Sequence, residues 1–164
     1  MSAYLRMRAV PAPALRNSAT WLERQFEDGM EAAPRRGRRR REEVLDERCL
    51  DQERIYLGAL PDGAEDRPQA QVVLGGRPVF RPDRHRPRLL VLTAAQARRV
   101  AGFLAKADFD ALWFFARDEV LPRYGGVTAE PEAWGAFAAV HQELRAFYAR
   151  TAACGDAVVK RLPA

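Results

Sequence analysis

Residues 131–162 read PEAWGAFAAVHQELRAFYARTAACGDAVVKRL, and their pattern decides the fold. Trp134, Phe137, His141, Leu144 and Tyr148 recur at i, i+3, i+7, i+10 and i+14, with Val140 and Phe147 beside them. Glu132, Glu143, Ala146 and Arg150 fall opposite. One apolar stripe with a polar back predicts a core-facing helix. Pro131 suits the first turn, where its missing N–H costs nothing, and Thr128 or Glu130 can cap it. Gly155 supplies a left-handed stop. Beyond it, 156–162 reads as a short strand. A helix of about twenty residues is about 30 Å long, enough to cross a small domain. The other elements are expected to pack against it.

Working back to the N-terminus, residues 4–10 alternate, with Leu5, Met7 and Ala9 on one face and Tyr4, Arg6 and Arg8 on the other. That is a strand with one buried face, and Pro11 and Pro13 stop it. The two terminal strands are expected to pair. Leu15, Ala19, Leu22 and Phe26 give 12–28 a helical stripe, ended by Gly29. Leu45, Cys49, Tyr56 and Leu60 do the same for 44–60, followed by the turn Pro61-Asp62-Gly63. Short strands are expected at 71–74 and 89–92, with Gly75-Gly76 turning the chain after the first. Three prolines make 81–88 an extended loop, with His85 exposed in it. Thr93-Ala94-Ala95-Gln96 is a capping box opening a helix that buries Ala97, Val100, Ala101 and Leu104. A further helix from Asp108 is expected to turn Leu112, Phe115 and Val120 inward, with Trp113 and Phe114 flanking.

At 164 residues the chain fits one domain, 1–164, with enough apolar sequence for a core. The formal charge is +5, but the basicity is local. Six of the 27 Lys and Arg are Arg35, Arg36, Arg38, Arg39, Arg40 and Arg41; without them 21 basic residues face 22 acidic ones. Segment 31–43 has no apolar period, so it reads as an exposed, flexible Arg-rich loop and an electrostatic patch. It has no interleaved aromatics for stacking bases, so any nucleic-acid contact there is weak and non-specific. No apolar run is long enough to span a membrane and no secretory leader is seen, so a cytoplasmic location is expected and no membrane partner.

Chemical signatures are sparse. Cys49 and Cys154 form neither a CxxC pair nor a zinc set, and both are expected as buried free thiols. His141 and Cys154 lie thirteen residues apart on one helix, about 20 Å, too far to act as a pair. His141 therefore reads as a hydrogen-bonded core imidazole. No metal motif, glycine-rich phosphate loop or catalytic constellation is present, so no catalytic residue, metal ligand or cofactor is assigned. One irregularity remains: Gln52 and Glu53 interrupt the apolar stripe of 44–60 beside Tyr56. These three, with the Tyr124-Gly125-Gly126 loop, could line a polar pocket for a small ligand or an enzymatic site. The preferred expectation is a non-enzymatic module that binds another protein.

The stretches MSAYLRMRAVPAPAL, LDQERIYLGAL, VVLGGRPV, LTAAQARRVAGFL and LRAFYARTAACGDAVVKRL occur in an order and spacing that resemble the YfbM-like family, also called domain of unknown function 1877. The resemblance covers nearly the whole chain. It implies a compact bacterial cytosolic domain and no particular reaction. The expected fold class is α+β, with about five helices on a small mixed sheet that includes both terminal strands.

Deleting residues 35–41 is predicted to change stability by no more than about 0.5 kcal/mol, as for surface changes away from packed features. Any affinity for DNA or RNA should be micromolar or weaker, fall steeply between about 50 and 200 mM salt, and vanish in the deletion. Titration against labelled duplexes and single strands at two salt concentrations checks both.

Overall fold

The computed structural model describes residues 4–27, 42–58 and 65–163. In chain order the elements are β1 (Leu5–Val10), a 3-10 turn (Ala12–Arg16), α1 (Ala19–Glu27), β2 (Glu42–Leu45), α2 (Cys49–Leu57) and α3 (Pro68–Gln71). There follow β3 (Arg77–Pro78), β4 (Leu89–Leu92), α4 (Ala94–Lys106), α5 (Phe109–Val120), 3-10 turns at Leu121–Tyr124 and Val127–Ala129, α6 (Glu130–Ala153) and β5 (Ala157–Arg161). Among the described residues this is an α+β fold of six α-helices and one five-stranded sheet, ordered β2-β1-β5-β4-β3.

The terminal strands pair as expected, from Arg6 opposite Arg161 to Val10 opposite Ala157. All four pairings are antiparallel, where a mixed sheet was expected. The reason is the route from β4 to β5. Leu92, at the end of β4, lies opposite Val158, near the start of β5. The excursion through α4, α5 and α6 thus re-enters the sheet at the end it left, and a parallel neighbour would need entry at the other end.

The sheet is covered on both faces, which is why β4 is buried at all four positions. One face sends Leu5, Met7, Leu92 and Val158 into a core with Val100 and Leu104 of α4 and Leu144, Phe147 and Tyr148 of α6. The other sends Leu89, Val91, Ala157 and Val159 against Leu22 and Phe26 of α1. A third cluster joins Ile55 of α2, Trp113 and Val120 of α5 and Phe137 of α6. Burying one such side chain is worth roughly 1.5–3 kcal/mol before entropy, so these three clusters carry the fold.

The helix ends follow their sequence signals. Thr93 Oγ1 accepts from the Gln96 N–H (3.1 Å), and Gln96 Oε1 accepts from the Thr93 N–H (2.9 Å). Gly155 has φ +66°, and the Asp156 N–H returns to the Thr151 carbonyl at 3.0 Å, closing α6.

Several expectations need correction. Segment 12–28 is a 3-10 turn and a shorter helix, because Ser18 accepts from the Trp21 N–H and starts α1 afresh. Residues 42–45 form edge strand β2, not the end of a loop and the start of a helix. Residues 71–74 end α3 and continue as a strap rather than forming a strand. On α5 the buried face is Phe109, Trp113, Ala116 and Val120, whereas Phe115 is 67% exposed. The small Ala116 completes that stripe and disguises it. On α6 the stripe begins at Ala133; Trp134 sits at its margin, its indole N–H donating to Asp110 Oδ1 at 2.9 Å. Cys49 is buried as expected, but Cys154 is exposed at the α6 terminus.

Phe137→Ala is predicted to destabilise by about 3–5 kcal/mol, the range for emptying an aromatic core site. Phe115→Ala should change stability by no more than about 0.5 kcal/mol, as for an exposed position. Denaturant midpoints at constant m-value distinguish the two.

Candidate functional site

The four residues expected to line a polar pocket are brought near one another in the fold but divide among three separate networks. Gln52 and Tyr56 are one helical turn apart on α2, and both are buried. Tyr56 Oη lies 2.9 Å from His141 Nδ1 on α6. Gln52 Nε2 donates to Tyr56 Oη and to the Phe137 carbonyl, each at 3.3 Å. Burial pushes the Tyr56 hydroxyl well above the usual phenol range, so it keeps its proton. Burial, aided by Arg145, holds the His141 imidazole below its ordinary value. A neutral imidazole accepting at Nδ1 carries its proton on Nε2, which sets the direction of the chain: Gln52 to Tyr56 to His141. His141 is thus the hydrogen-bonded core imidazole expected from the sequence. Gln52 Oε1 has no hydrogen-bond partner among the described residues, and Gln52 lines a small cleft of about 10 Å³ with Leu45, Asp46, Arg48, Cys49 and Phe137. That is room for roughly one water molecule, not a substrate.

Glu53 points away from this chain. Its Oε1 accepts the Leu74 N–H at 3.1 Å. It also favours the charged form of Lys160 on β5. Lys160 shares the parity of Val158, so its side chain enters the face covered by α4 and α6 and is fully buried. Its Nζ donates to the carbonyls of Gln71 (2.5 Å) and Gly75 (2.8 Å). The Tyr148 hydroxyl donates to the Val72 carbonyl at 2.7 Å. A basic group at these carbonyls also opposes the partial negative charge at the end of α3. The strap they hold is tight: a Cβ on Gly75 would fall 1.9 Å from the Ala70 carbonyl oxygen. Burial pushes the Lys160 amine down to about 7 and raises the Glu53 carboxyl.

Tyr124 belongs to a third network. Its hydroxyl donates to Asp51 Oδ2 at 2.7 Å, and Arg123 pairs with the same carboxylate. These bonds hold the Asp51 carboxyl below its usual range despite its burial. Lys160 and Asp51 were missed in the sequence. The period-2 pattern of AVVKR puts Lys160 on the Val158 face and was the signal available for it. The hydrogen bonds of Asp51 gave none, because Arg123 and Tyr124 lie more than seventy residues away. The electrostatic patch Arg35, Arg36 and Arg38 to Arg41 lies outside the described residues.

Among the described residues no group of three His, Cys, Asp or Glu side chains could hold a metal, and no helix is long and apolar enough to cross a membrane. One feature that core packing does not account for lies on α5. Phe114 and Phe115 are each 67% exposed and meet edge to face at 6.1 Å. Asp110, Asp118 and Glu119 are the exposed charges beside them on the helix.

The family model described as Domain of unknown function (DUF1877) matches residues 1–160, and the chain belongs to that family. Among solved structures it is similar to YfbM from Escherichia coli, described as a protein of unknown function. The TM-score is 0.63 at 15% identity, over 96% of this chain and 98% of that one, so the likeness is one of fold. No curated protein matches.

Lys160 predicts a pH signature. Its folded pKa lies below the unfolded value, so between about pH 7 and 10 the unfolded state binds more protons and stability rises with pH. Lys160→Met should remove that slope. Chemical denaturation of both proteins across this range checks it.

Proposed function

We propose that this DUF1877 member is a non-enzymatic interaction module that binds another protein through the outer face of α5. The observation that carries this reading is the exposed pair Phe114 and Phe115. Ala111, Phe114, Phe115 and Asp118 fall at i, i+3, i+4 and i+7, the spacing a partner uses to read one helix face. Exposed aromatic anchors are what interface cores are enriched in. The flanking Asp110, Asp118 and Glu119 favour a partner whose apolar pocket is framed by Lys or Arg. On the inner side of the helix, Trp113 donates to Glu130 Oε1 at 3.0 Å and Phe109 stacks on it at 6.5 Å, which anchors the face rigidly. A rigid face loses little entropy on binding. The burial of Gln52, Tyr56 and His141, with only a small cleft beside Gln52, also favours surface recognition over chemistry in the core. A cytoplasmic bacterial setting is part of this reading and rests on the sequence and family resemblance alone.

The test is comparative capture from a bacterial lysate. Wild-type protein is set beside Phe114→Ser/Phe115→Ser and Asp118→Lys/Glu119→Lys, all with matched melting temperatures. A partner retained by the wild type, lost by the aromatic variant and weakened at least about tenfold by charge reversal supports the reading. Identical retention by all three proteins contradicts it.

A further inference from the structure

A second surface feature lies on another part of the molecule and is independent of the α5 face. A groove of about 840 Å³ opens between the start of α2, the 84–88 loop and the chain after β5. Its size falls within the roughly 300–1,000 Å³ of small-molecule sites. Leu50, Leu74, Leu162 and Pro163 give it an apolar lining, and Leu50 is 61% exposed there. Arg84, His85, Arg86 and Arg88 form one wall, and Glu47 is the single acid in the lining. Arg86 is engaged with Glu23 and Asp83. Arg84 and Arg88 are exposed and make no ion pair among the described residues.

We propose that this groove binds a small acidic amphiphile, an apolar body carrying a carboxylate or phosphate group. The apolar lining takes the body, and Arg84 and Arg88 take the head through charge-assisted hydrogen bonds, for which guanidinium suits both carboxylate and phosphate. A small molecule fits better than a peptide strand. No lining residue belongs to an edge strand, so an extended peptide finds no ladder to join. The wall is also already tied down: the Leu162 N–H donates to the Arg88 carbonyl at 2.9 Å, and Arg81 donates to the Pro87 carbonyl at 2.6 Å. The arginines are thus presented from a braced loop, and less ordering is needed on binding.

The test is calorimetric titration of the full chain, below micellar concentrations, with decanoate, decyl phosphate, decanol and decyltrimethylammonium. We expect at least one of the two anions to bind near one-to-one with a Kd of about 100 µM or tighter, and the other two probes to bind at least about tenfold more weakly. Which anion binds identifies the head group. Arg84→Ala/Arg88→Ala and, separately, Leu50→Glu should each weaken the anion at least about tenfold. Arg98→Ala, an exposed change on α4 away from the groove, should not. Circular dichroism establishes that the variants are folded, as expected for exposed positions. No binding of either anion, equal binding of the cationic probe, or undiminished binding by both groove variants overturns the proposal.

Discussion

A buried amine holds this molecule together where the chain leaves α3 and runs without regular structure to β3. Lys160 enters the core from the central strand β5 with no exposed surface. An ammonium or amine placed there without partners would cost several kcal/mol. The strap after α3 supplies those partners, turning the Gln71 and Gly75 carbonyls onto Nζ. The dependence is mutual, since the Gln71 carbonyl sits at the end of α3, where no further turn satisfies it. Tyr148 adds its hydroxyl from α6, and Glu53 holds the Leu74 N–H from α2. Lys160, Tyr148 and Glu53 thus bring three elements onto the strap, and Gly75 is required because no side chain fits against Ala70.

This arrangement explains how two polar residues on α2 come to face a core. Gln52 and Glu53 interrupt an apolar stripe because each completes a buried network: Gln52 the chain to Tyr56 and His141, Glu53 the strap. Buried polar groups of this kind add little net stability but make alternative packings costly, because each leaves a donor or acceptor unmet. Two features of the surface stand apart from these buried networks. The aromatic face of α5 and the arginine-walled groove are separate and differ in sign of charge.

Elements whose signals are local were legible in the sequence. The capping box at Thr93, the stop at Gly155 and the alternation of 4–10 each depend on neighbours within a few residues. Elements defined by distant contacts were not. Val72 and Val73 are apolar and β-branched, so they resemble a strand; Tyr148 and Lys160 claim the Val72 carbonyl instead of a neighbouring strand. Strand β2 carries Glu43, whose carboxyl is pushed up to about 7 by burial and by its hydrogen bond with Glu143 of α6. A polar residue buried by such pairing reads as loop in one dimension. Trp134 and Phe115 were misplaced for the opposite reason: size suggested burial, while Ala133 and Ala116 occupy the inward positions. The pocket expected around Gln52, Glu53, Tyr56 and Tyr124 came from a real irregularity. Only three-dimensional contacts show that these side chains divide among three networks.

Native-state hydrogen exchange on wild-type protein and Lys160→Met tests the central claim most directly. If Lys160 is what holds the strap, the amides of residues 72–76 should lose at least about tenfold more protection than those in the middle of α6, through a local opening distinct from global unfolding. Protection falling by the same factor in the strap and in α6 would contradict the claim. It would show that Lys160 contributes to overall stability alone.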